Sequence, residues 1–82
     1  MNILELINKT DMVTRIDKVW FDNEYIFVKL NNEQTISKPI RWFKNLAKGS
    51  DIQREHYKIV NNGSALRWDE LDEDLSLEGF LE

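Results

Sequence analysis

The most concentrated chemical feature of this 82-residue sequence is a run of carboxylates near its C-terminal end. Residues 69–82 hold seven acids and no base, and the remaining 68 residues carry 11 bases against 8 acids, a net charge of +3. Such a run can form an acidic face for a basic partner, or a site for a divalent cation. The alternatives are a solvated loop, or a tail folded back on the chain's own lysines. The candidate partner-binding residues are Asp69, Glu70, Asp72, Glu73, Asp74 and Glu78.

The acidic run does not match a known type of metal site. It lacks the alternating ligands and the central glycine of an EF-hand loop. The chain has no cysteine and a single histidine, His56, and a lone histidine without cysteine is a poor zinc site. We therefore predict no metal, and we interpret His56 as a structural or surface residue.

Catalytic patterns are equally hard to find in this sequence. No serine lies in a G-x-S-x-G elbow, and the three glycines, Gly49, Gly63 and Gly79, form no phosphate-binding loop. The paired carboxylates of a glycosidase need a substrate cleft between them, which a domain of this size rarely has. The sequence therefore predicts a protein that is not an enzyme and that uses no cofactor.

A second charged segment carries the opposite sign. Lys38, Arg41, Lys44 and Lys48 surround Trp42, so that bases could meet phosphates while the indole stacks on a nucleobase. The alternative is an ordinary amphipathic helix whose Trp42 and Phe43 face the core. We favour this alternative because the acidic run and the net charge of −4 oppose phosphate binding.

The elements that would position these residues begin with a β-meander. Residues 13–21, 25–30 and 34–38 are rich in β-branched and aromatic residues and predict three strands. Asp22-Asn23-Glu24 and Asn31-Asn32 predict the turns between them, the second because asparagine tolerates left-handed dihedrals. Residues 1–12 read as a separate N-terminal extension, either a short helix or an added strand.

After the third predicted strand, the hydrophobic residues recur with the period of a helix. Trp42, Phe43, Leu46 and Ala47 recur at helical spacing and predict a helix of about two turns that ends at Gly49. Ser50 predicts the cap of a second short helix, and Ser76 that of a last one. Between these two helices, residues 57–60 and 65–68 predict a hairpin around Asn61-Asn62-Gly63, which suits a type I′ turn. The fold class is thus α+β: a small antiparallel sheet with two or three short helices, over a single domain at residues 13–82.

Composition limits the remaining possibilities. Hydrophobic residues make up 41% of the chain and no apolar run reaches membrane-spanning length, so we expect a soluble domain. The N-terminal residues lack the pattern of a signal peptide, which predicts the cytoplasm as the compartment. Because a domain this small has a thin core, a homodimer that buries further apolar surface is also plausible. We expect Trp42 and Trp68 to be core anchors rather than ligand platforms.

The segment from Ile36 to Leu81 resembles a small bacterial family, domain of unknown function 2442 (DUF2442). The family shows a "PL-x-WFPRL" segment, matched within residues 39–46, and an "A-x-x-x-QR-x-x-W" segment, matched at Ala47, Gln53-Arg54 and Tyr57, with tyrosine for tryptophan. Gly63, Leu66 and Trp68 match its "G-x-x-I-x-W" strand, and residues 72–81 match its closing "DEDISVEGLL". Lys44 and Asp69 stand where proline is usual. The resemblance extends more weakly back to residue 13.

What this resemblance implies about function is limited, since the family has no established activity. Its genes often neighbour those of another small uncharacterised family, which suggests a toxin–antitoxin pair. By analogy this chain would be the acidic, non-toxic partner, and a carboxylate-rich surface suits a basic toxin. The expected function is therefore a protein-interaction module of antitoxin type, with nucleic-acid binding and a structural homodimer as the alternatives.

Overall fold

Two three-stranded antiparallel sheets and three short helices make up the fold, which confirms the α+β prediction. The computed structural model describes residues 14–81, so the predicted extension at residues 1–12 lies outside the described residues. The elements in chain order are β1 (Ile16–Phe21), β2 (Tyr25–Leu30), β3 (Thr35–Pro39), α1 (Lys44–Lys48), α2 (Asp51–Glu55), β4 (Lys58–Val60), β5 (Ala65–Trp68), β6 (Glu73–Ser76) and α3 (Leu77–Phe80). Single 3₁₀ turns at Ile40–Trp42 and Asn61–Gly63 complete the chain.

Sheet 1 is the predicted meander, in the order β1-β2-β3. Asp22 fixes its first turn, because the Oδ1 atom accepts from the backbone N–H groups of Glu24 and Tyr25 at 2.8 and 2.7 Å. In the second turn the positive φ falls on Glu33 (74°) rather than on the asparagines. Asn32 contributes instead through its side chain, which accepts from the N–H of Gln34 at 3.0 Å.

Alternation along β2 decides which face of sheet 1 is buried. Ile26, Val28 and Leu30 point into the core, while the residues between them remain half-buried on the opposite face. The core beneath this sheet is completed from the second half of the chain, by residues that include Leu46, Leu66, Trp68, Leu77 and Phe80. The two halves therefore share one hydrophobic core.

The predicted two-turn helix over residues 41–48 is wrong, because the chain breaks at Phe43. Phe43 is extended (φ −113°, ψ 97°) and separates the 3₁₀ turn from α1. The turn is held against sheet 1, since the N–H of Ile40 donates to the carbonyl oxygen of Glu24 at 2.8 Å. Ile40 and Leu46 are consequently buried and Phe43 stacks on Phe80. Trp42 is 62% exposed, so it is not the core anchor we expected.

Helix α2 begins at the predicted cap. Ser50 and Gln53 form a capping box, in which each side chain binds the other residue's N–H at 3.0–3.1 Å. The next residue, Arg54, donates from Nε to the carbonyl oxygen of Leu46 at 2.9 Å, and from Nη2 to that of Ala47 at 3.3 Å. These bonds give the last carbonyls of α1 further donors, since that of Leu46 also accepts from the N–H of Gly49 at 3.1 Å. Gln53 thus caps the start of α2, and Arg54 caps the end of the preceding helix, α1.

Sheet 2 has the order β4-β5-β6 and contains one strand that the sequence patterns did not predict. The β4–β5 hairpin is confirmed, with positive φ at Asn61, Asn62 and Gly63 (52°, 57° and 87°). Strand β6 lies inside the acidic run, pairs with β5 along its whole length and leads into α3. Ser76 caps α3 as expected, because its Oγ atom accepts from the N–H of Gly79 at 3.0 Å.

Candidate functional site

The predicted acidic residues lie on an ordered part of the fold rather than on a free tail. We call the group Asp69, Glu70, Asp72, Glu73, Asp74 and Glu78 the acidic ridge. Its first members occupy the turn between β5 and β6, the next two belong to β6, and the last lies in the first turn of α3. The turn is closed at Asp72, which has a positive φ of 50° and whose carbonyl oxygen accepts from Asn45 at 3.0 Å. The ridge therefore has a defined shape.

Arg67 organises the centre of the acidic ridge. It lies on β5 directly opposite Asp74 on β6, and its guanidinium contacts three carboxylates. Nη1 lies 2.8 Å from Asp74 Oδ2, Nε 3.1 Å from Asp69 Oδ1, and Nη2 3.2 Å from Asp72 Oδ1. The side chain of Lys58, opposite Arg67 on β4, makes a further ion pair with Asp69. The acidic segment is therefore in part folded back on basic residues of the same chain, which was one of the alternatives considered above.

The ridge remains electronegative in spite of these contacts. Six carboxylates face two bases, Lys58 and Arg67, which leaves a net charge of −4 when His56 is neutral. The carboxylates are also accessible, since the side chain of Asp72 is 90% exposed and that of Asp74 69%. Arg67 holds Asp69, Asp72 and Asp74 in place, so that these three groups present a fixed pattern of negative charge to solvent.

The ion pairs change the acid–base behaviour of two of these groups. Hydrogen bonds from Lys58 and then from Arg67 hold the pKa of Asp69 below its ordinary value. Hydrogen bonds with Asp69 and then Asp72 raise the pKa of Arg67. A carboxylate whose folded pKa is depressed stabilises the fold above its unfolded pKa, and this contribution is lost as the pH falls through the folded value.

We therefore expect the Asp69→Asn variant to be less stable than the parent at pH 6 but not at strongly acidic pH. As the pH falls through the depressed pKa of Asp69, the parent's carboxylate is itself protonated, so the difference between the two urea midpoints should shrink. Glu24→Gln, on the β1–β2 turn away from Lys58 and Arg67, is the matched control. A midpoint difference for Asp69→Asn that stays constant from pH 6 into the acid range would contradict this assignment.

The arrangement of the aspartates does not suit a divalent cation. Asp69, Asp72 and Asp74 converge on the guanidinium of Arg67, which occupies the place that a metal ion would take. Within residues 14–81, no group of three or more histidine, aspartate or glutamate side chains is placed to hold a metal ion. His56 lies on the surface, where its Nδ1 atom is paired with Glu70. This pair extends the ridge towards α2.

The second predicted surface, the basic strip, is defined by Lys38, Arg41, Trp42, Lys44 and Lys48. The structure distributes it over the end of β3, the 3₁₀ turn and both ends of α1. Lys44 and Lys48 are four residues apart on one short helix and therefore share a face. The Nζ atom of Lys38 lies 5.9 Å from the centroid of the exposed Trp42 ring, a cation–π contact. Trp42 thus belongs to the surface of this strip.

Sequence reasoning missed two features around these surfaces. It did not identify Arg67 as the centre of the acidic ridge. Pairing β5 with the acidic run as a further antiparallel strand would have placed Arg67 beside the acids. Sequence reasoning also missed Trp20, Tyr25 and Phe27 on the outer face of sheet 1. Their signal was the alternation of β1 and β2, which sends every second residue away from the core.

In the described part of the chain, no helix is long and apolar enough to cross a membrane.

Comparisons with known proteins agree on the fold and leave the activity open. A protein of unknown function from Rhodospirillum rubrum has a crystal structure that is 33% identical in sequence, with a TM-score of 0.74, over 85% of this chain and 87% of that one. The uncharacterised protein CV0863 from Chromobacterium violaceum, solved by NMR, is 19% identical over 95% of this chain and 72% of its own, with a TM-score of 0.71. At that identity the likeness concerns the fold alone. None of the curated proteins compared with the chain matches it.

The family comparison agrees with the motifs identified above. The profile described as protein of unknown function (DUF2442) matches residues 16–82, which includes every strand and helix of the structure. The matched segment begins at β1, so residues 1–15 lie outside it. The chain therefore belongs to the DUF2442 family.

Proposed function

We propose that this chain is a non-enzymatic protein-interaction module whose acidic ridge binds a basic protein, as an antitoxin-like partner of a small toxin would. The observation that carries the proposal is the set of carboxylates on the β5–β6 turn, β6 and the first turn of α3, three of them fixed by Arg67 and the whole set still at net charge −4. Charge of this kind attracts a basic partner from a distance and favours it over neutral or acidic proteins.

Preorganisation supports the same proposal. A flexible acidic tail loses conformational entropy when it binds, whereas carboxylates on a closed turn are already ordered before binding. Arg67 contacts one oxygen of each of Asp69, Asp72 and Asp74. The second oxygen of Asp69 pairs with Lys58, so arginines or lysines of a partner would bind the second carboxylate oxygens of Asp72 and Asp74 without displacing Arg67.

The experiment is a charge reversal at the exposed part of the ridge. The tagged chain is used to capture its partner from the host, and the captured protein is then purified and its binding to the chain measured directly. We expect Asp72→Lys, Glu73→Lys and Asp74→Lys together to abolish this binding, and we expect binding by the parent to weaken as salt is raised. If the partner is a toxin, co-expression of the parent but not of the variant should restore growth.

Two controls keep this test decisive. The milder pair Asp72→Asn and Asp74→Asn removes charge without placing lysines beside Arg67, and circular dichroism checks that each variant is folded. Glu24→Lys with Glu33→Lys changes net charge by a similar amount on the turns of sheet 1, away from the ridge. Partner binding that is unchanged in the folded ridge variants, or equally lost in the control, would remove the ridge from the function.

Nucleic-acid binding through the basic strip is the second candidate, and the exposure of Trp42 is the observation that favours it. The strip combines Lys38, Arg41, Lys44 and Lys48 with an indole that is open to solvent. Titration of DNA and RNA at low salt tests it, with Lys44→Gln and Lys48→Gln as the weakened variant. An absence of binding at low salt would exclude this candidate.

Self-association and compartment stay predictions. Light scattering at two protein concentrations tests the alternative of a structural homodimer, and a monomer at both would exclude it. The cytoplasmic location predicted from the sequence is part of the same proposal, since an antitoxin-like module acts where its partner is made.

A further inference from the structure

The outer face of sheet 1 carries a group of aromatic rings that the acidic ridge and the basic strip do not include. Trp20 on β1 lies opposite Phe27 on β2, and their rings stack at a centroid distance of 5.5 Å and an interplanar angle of 6°. Tyr25, two residues from Phe27 on the same face, is 6.3 Å away from it. Trp20 remains 36% exposed. We call these three residues, with Lys18 and Lys29, the aromatic face.

Two lysines, Lys18 and Lys29, share this face with the rings. Lys18 holds its Nζ atom 5.6 Å from the centroid of the Trp20 ring, and it pairs across the strands with Lys29. Like charges directly opposite each other on a sheet destabilise it, so a bound anion would relieve this pair. Lys29 has one acidic neighbour, Glu33, at 3.2 Å, whose side chain is 80% exposed. The β3 residues opposite Lys29 and Phe27 are Thr35 and Ser37, which are uncharged.

We propose that the aromatic face binds single-stranded nucleic acid. Bases would stack on the exposed surfaces of Trp20 and Phe27, while Lys18 and Lys29 contact the phosphates on either side. Open aromatic rings beside cations on an antiparallel sheet are the chemistry by which proteins hold unpaired bases without reading their sequence. A duplex offers no free base to the rings, so the single strand is the form that this surface favours.

This surface is independent of the function proposed above, because it uses none of the residues of the acidic ridge or the basic strip. The expected affinity is low, since the chain carries a net charge of −4 and only two lysines contact phosphates. Loss of one stacked base typically lowers affinity by about tenfold or more. Two phosphate contacts on a single strand predict a slope of about −1.4 in the dependence of log affinity on log salt.

The test measures tryptophan fluorescence in the full chain. Trp42→Phe serves as the background, so that Trp20 reports the aromatic face while Trp68 stays buried. The probe is a thymidine oligonucleotide of about 12 residues, titrated at low salt and compared with a duplex of the same length. We expect the single strand to quench the fluorescence and to bind at least about tenfold more tightly than the duplex.

Two variants test the assigned residues in the same background by fluorescence anisotropy of a labelled oligonucleotide. Phe27→Ser should weaken binding by about tenfold or more, and Lys18→Gln with Lys29→Gln, which leaves the core untouched, should reduce the salt slope to near zero. Lys44→Gln with Lys48→Gln is the control that should change neither. Absence of binding at low salt, equal affinity for the duplex, or the same loss in the control would each overturn the proposal. So would light scattering that shows a dimer dissociated by Phe27→Ser, since a second copy would then occupy the face.

Discussion

Replacement of Trp68 by alanine is expected to lower the free energy of unfolding by about 3–5 kcal/mol. Trp68 is completely buried and is among the largest side chains of the core. Its indole N–H donates to the carbonyl oxygen of Arg54 at 2.9 Å. Its ring and that of Phe21 form a T-shaped pair with their centroids 6.5 Å apart. Alanine would leave a large cavity and an unpaired carbonyl in the same place. Because small domains are stable by only about 5–15 kcal/mol, much of the population should unfold.

Trp42→Ala is the matched control for this prediction. The same substitution at a 62% exposed ring should change the free energy of unfolding by no more than about 0.5 kcal/mol. Urea denaturation followed by far-ultraviolet circular dichroism compares the two variants without relying on tryptophan fluorescence. Equal destabilisation of both variants would show that Trp42 is a core residue after all, as the helical spacing had suggested.

The misassignment of Trp42 has a physical cause that sequence periodicity does not contain. Residues 42, 43, 46 and 47 fit one helical stripe only if the helix runs unbroken through them. The structure breaks it at Phe43, because the bond from Ile40 N–H to the carbonyl oxygen of Glu24 anchors the preceding turn to sheet 1. That bond joins positions 16 residues apart, and local propensity gives no sign of it.

Strand β6 escaped prediction for a different reason. Glu73, Asp74 and Ser76 have low strand propensity, and the run of acids around them is typical of solvated loops. The strand forms because Arg67 on β5 faces Asp74, and because Leu75 packs against the core on the other side. Strand formation here depends on a neighbour that the register of the β4–β5 hairpin supplies.

The parts that local chemistry determines were predicted correctly. Strand β2, the Asp22 turn, the Asn61–Gly63 hairpin and the caps at Ser50 and Ser76 each depend on a few neighbouring residues. The charges of the acidic ridge were also evident from the sequence. Their pairing was not, because which base meets which acid depends on register and on side-chain reach across the sheet.

The second large effect is expected at Leu46, where alanine should cost about 2–5 kcal/mol. Leu46 is fully buried, and it is the one buried residue of the five-residue helix α1. A helix this short has almost no stability of its own in water, so packing of Leu46 is what holds it in place. The cost should therefore include loosening of the helix as well as the lost apolar burial.

Loosening α1 should affect both candidate surfaces. The helix carries Lys44 and Lys48 of the basic strip, and its Asn45 donates to the carbonyl oxygen of Asp72 in the acidic ridge. Hydrogen exchange should accordingly accelerate at the N–H of Ala47, which binds the carbonyl oxygen of Phe43, and at that of Asp72, which closes the turn onto Asp69. Urea denaturation measures the total loss of stability in the same variant.

Ile52→Ala in α2 separates this effect from a general loss of apolar surface. Ile52 is 70% exposed, so its truncation should change stability by no more than about 0.5 kcal/mol and leave exchange at Ala47 unaltered. A Leu46→Ala protein with the parent's urea midpoint would mean that α1 is held by Arg54 and its carbonyl contacts instead. The expected pattern, in contrast, makes one buried leucine the link between the core and both the acidic ridge and the basic strip.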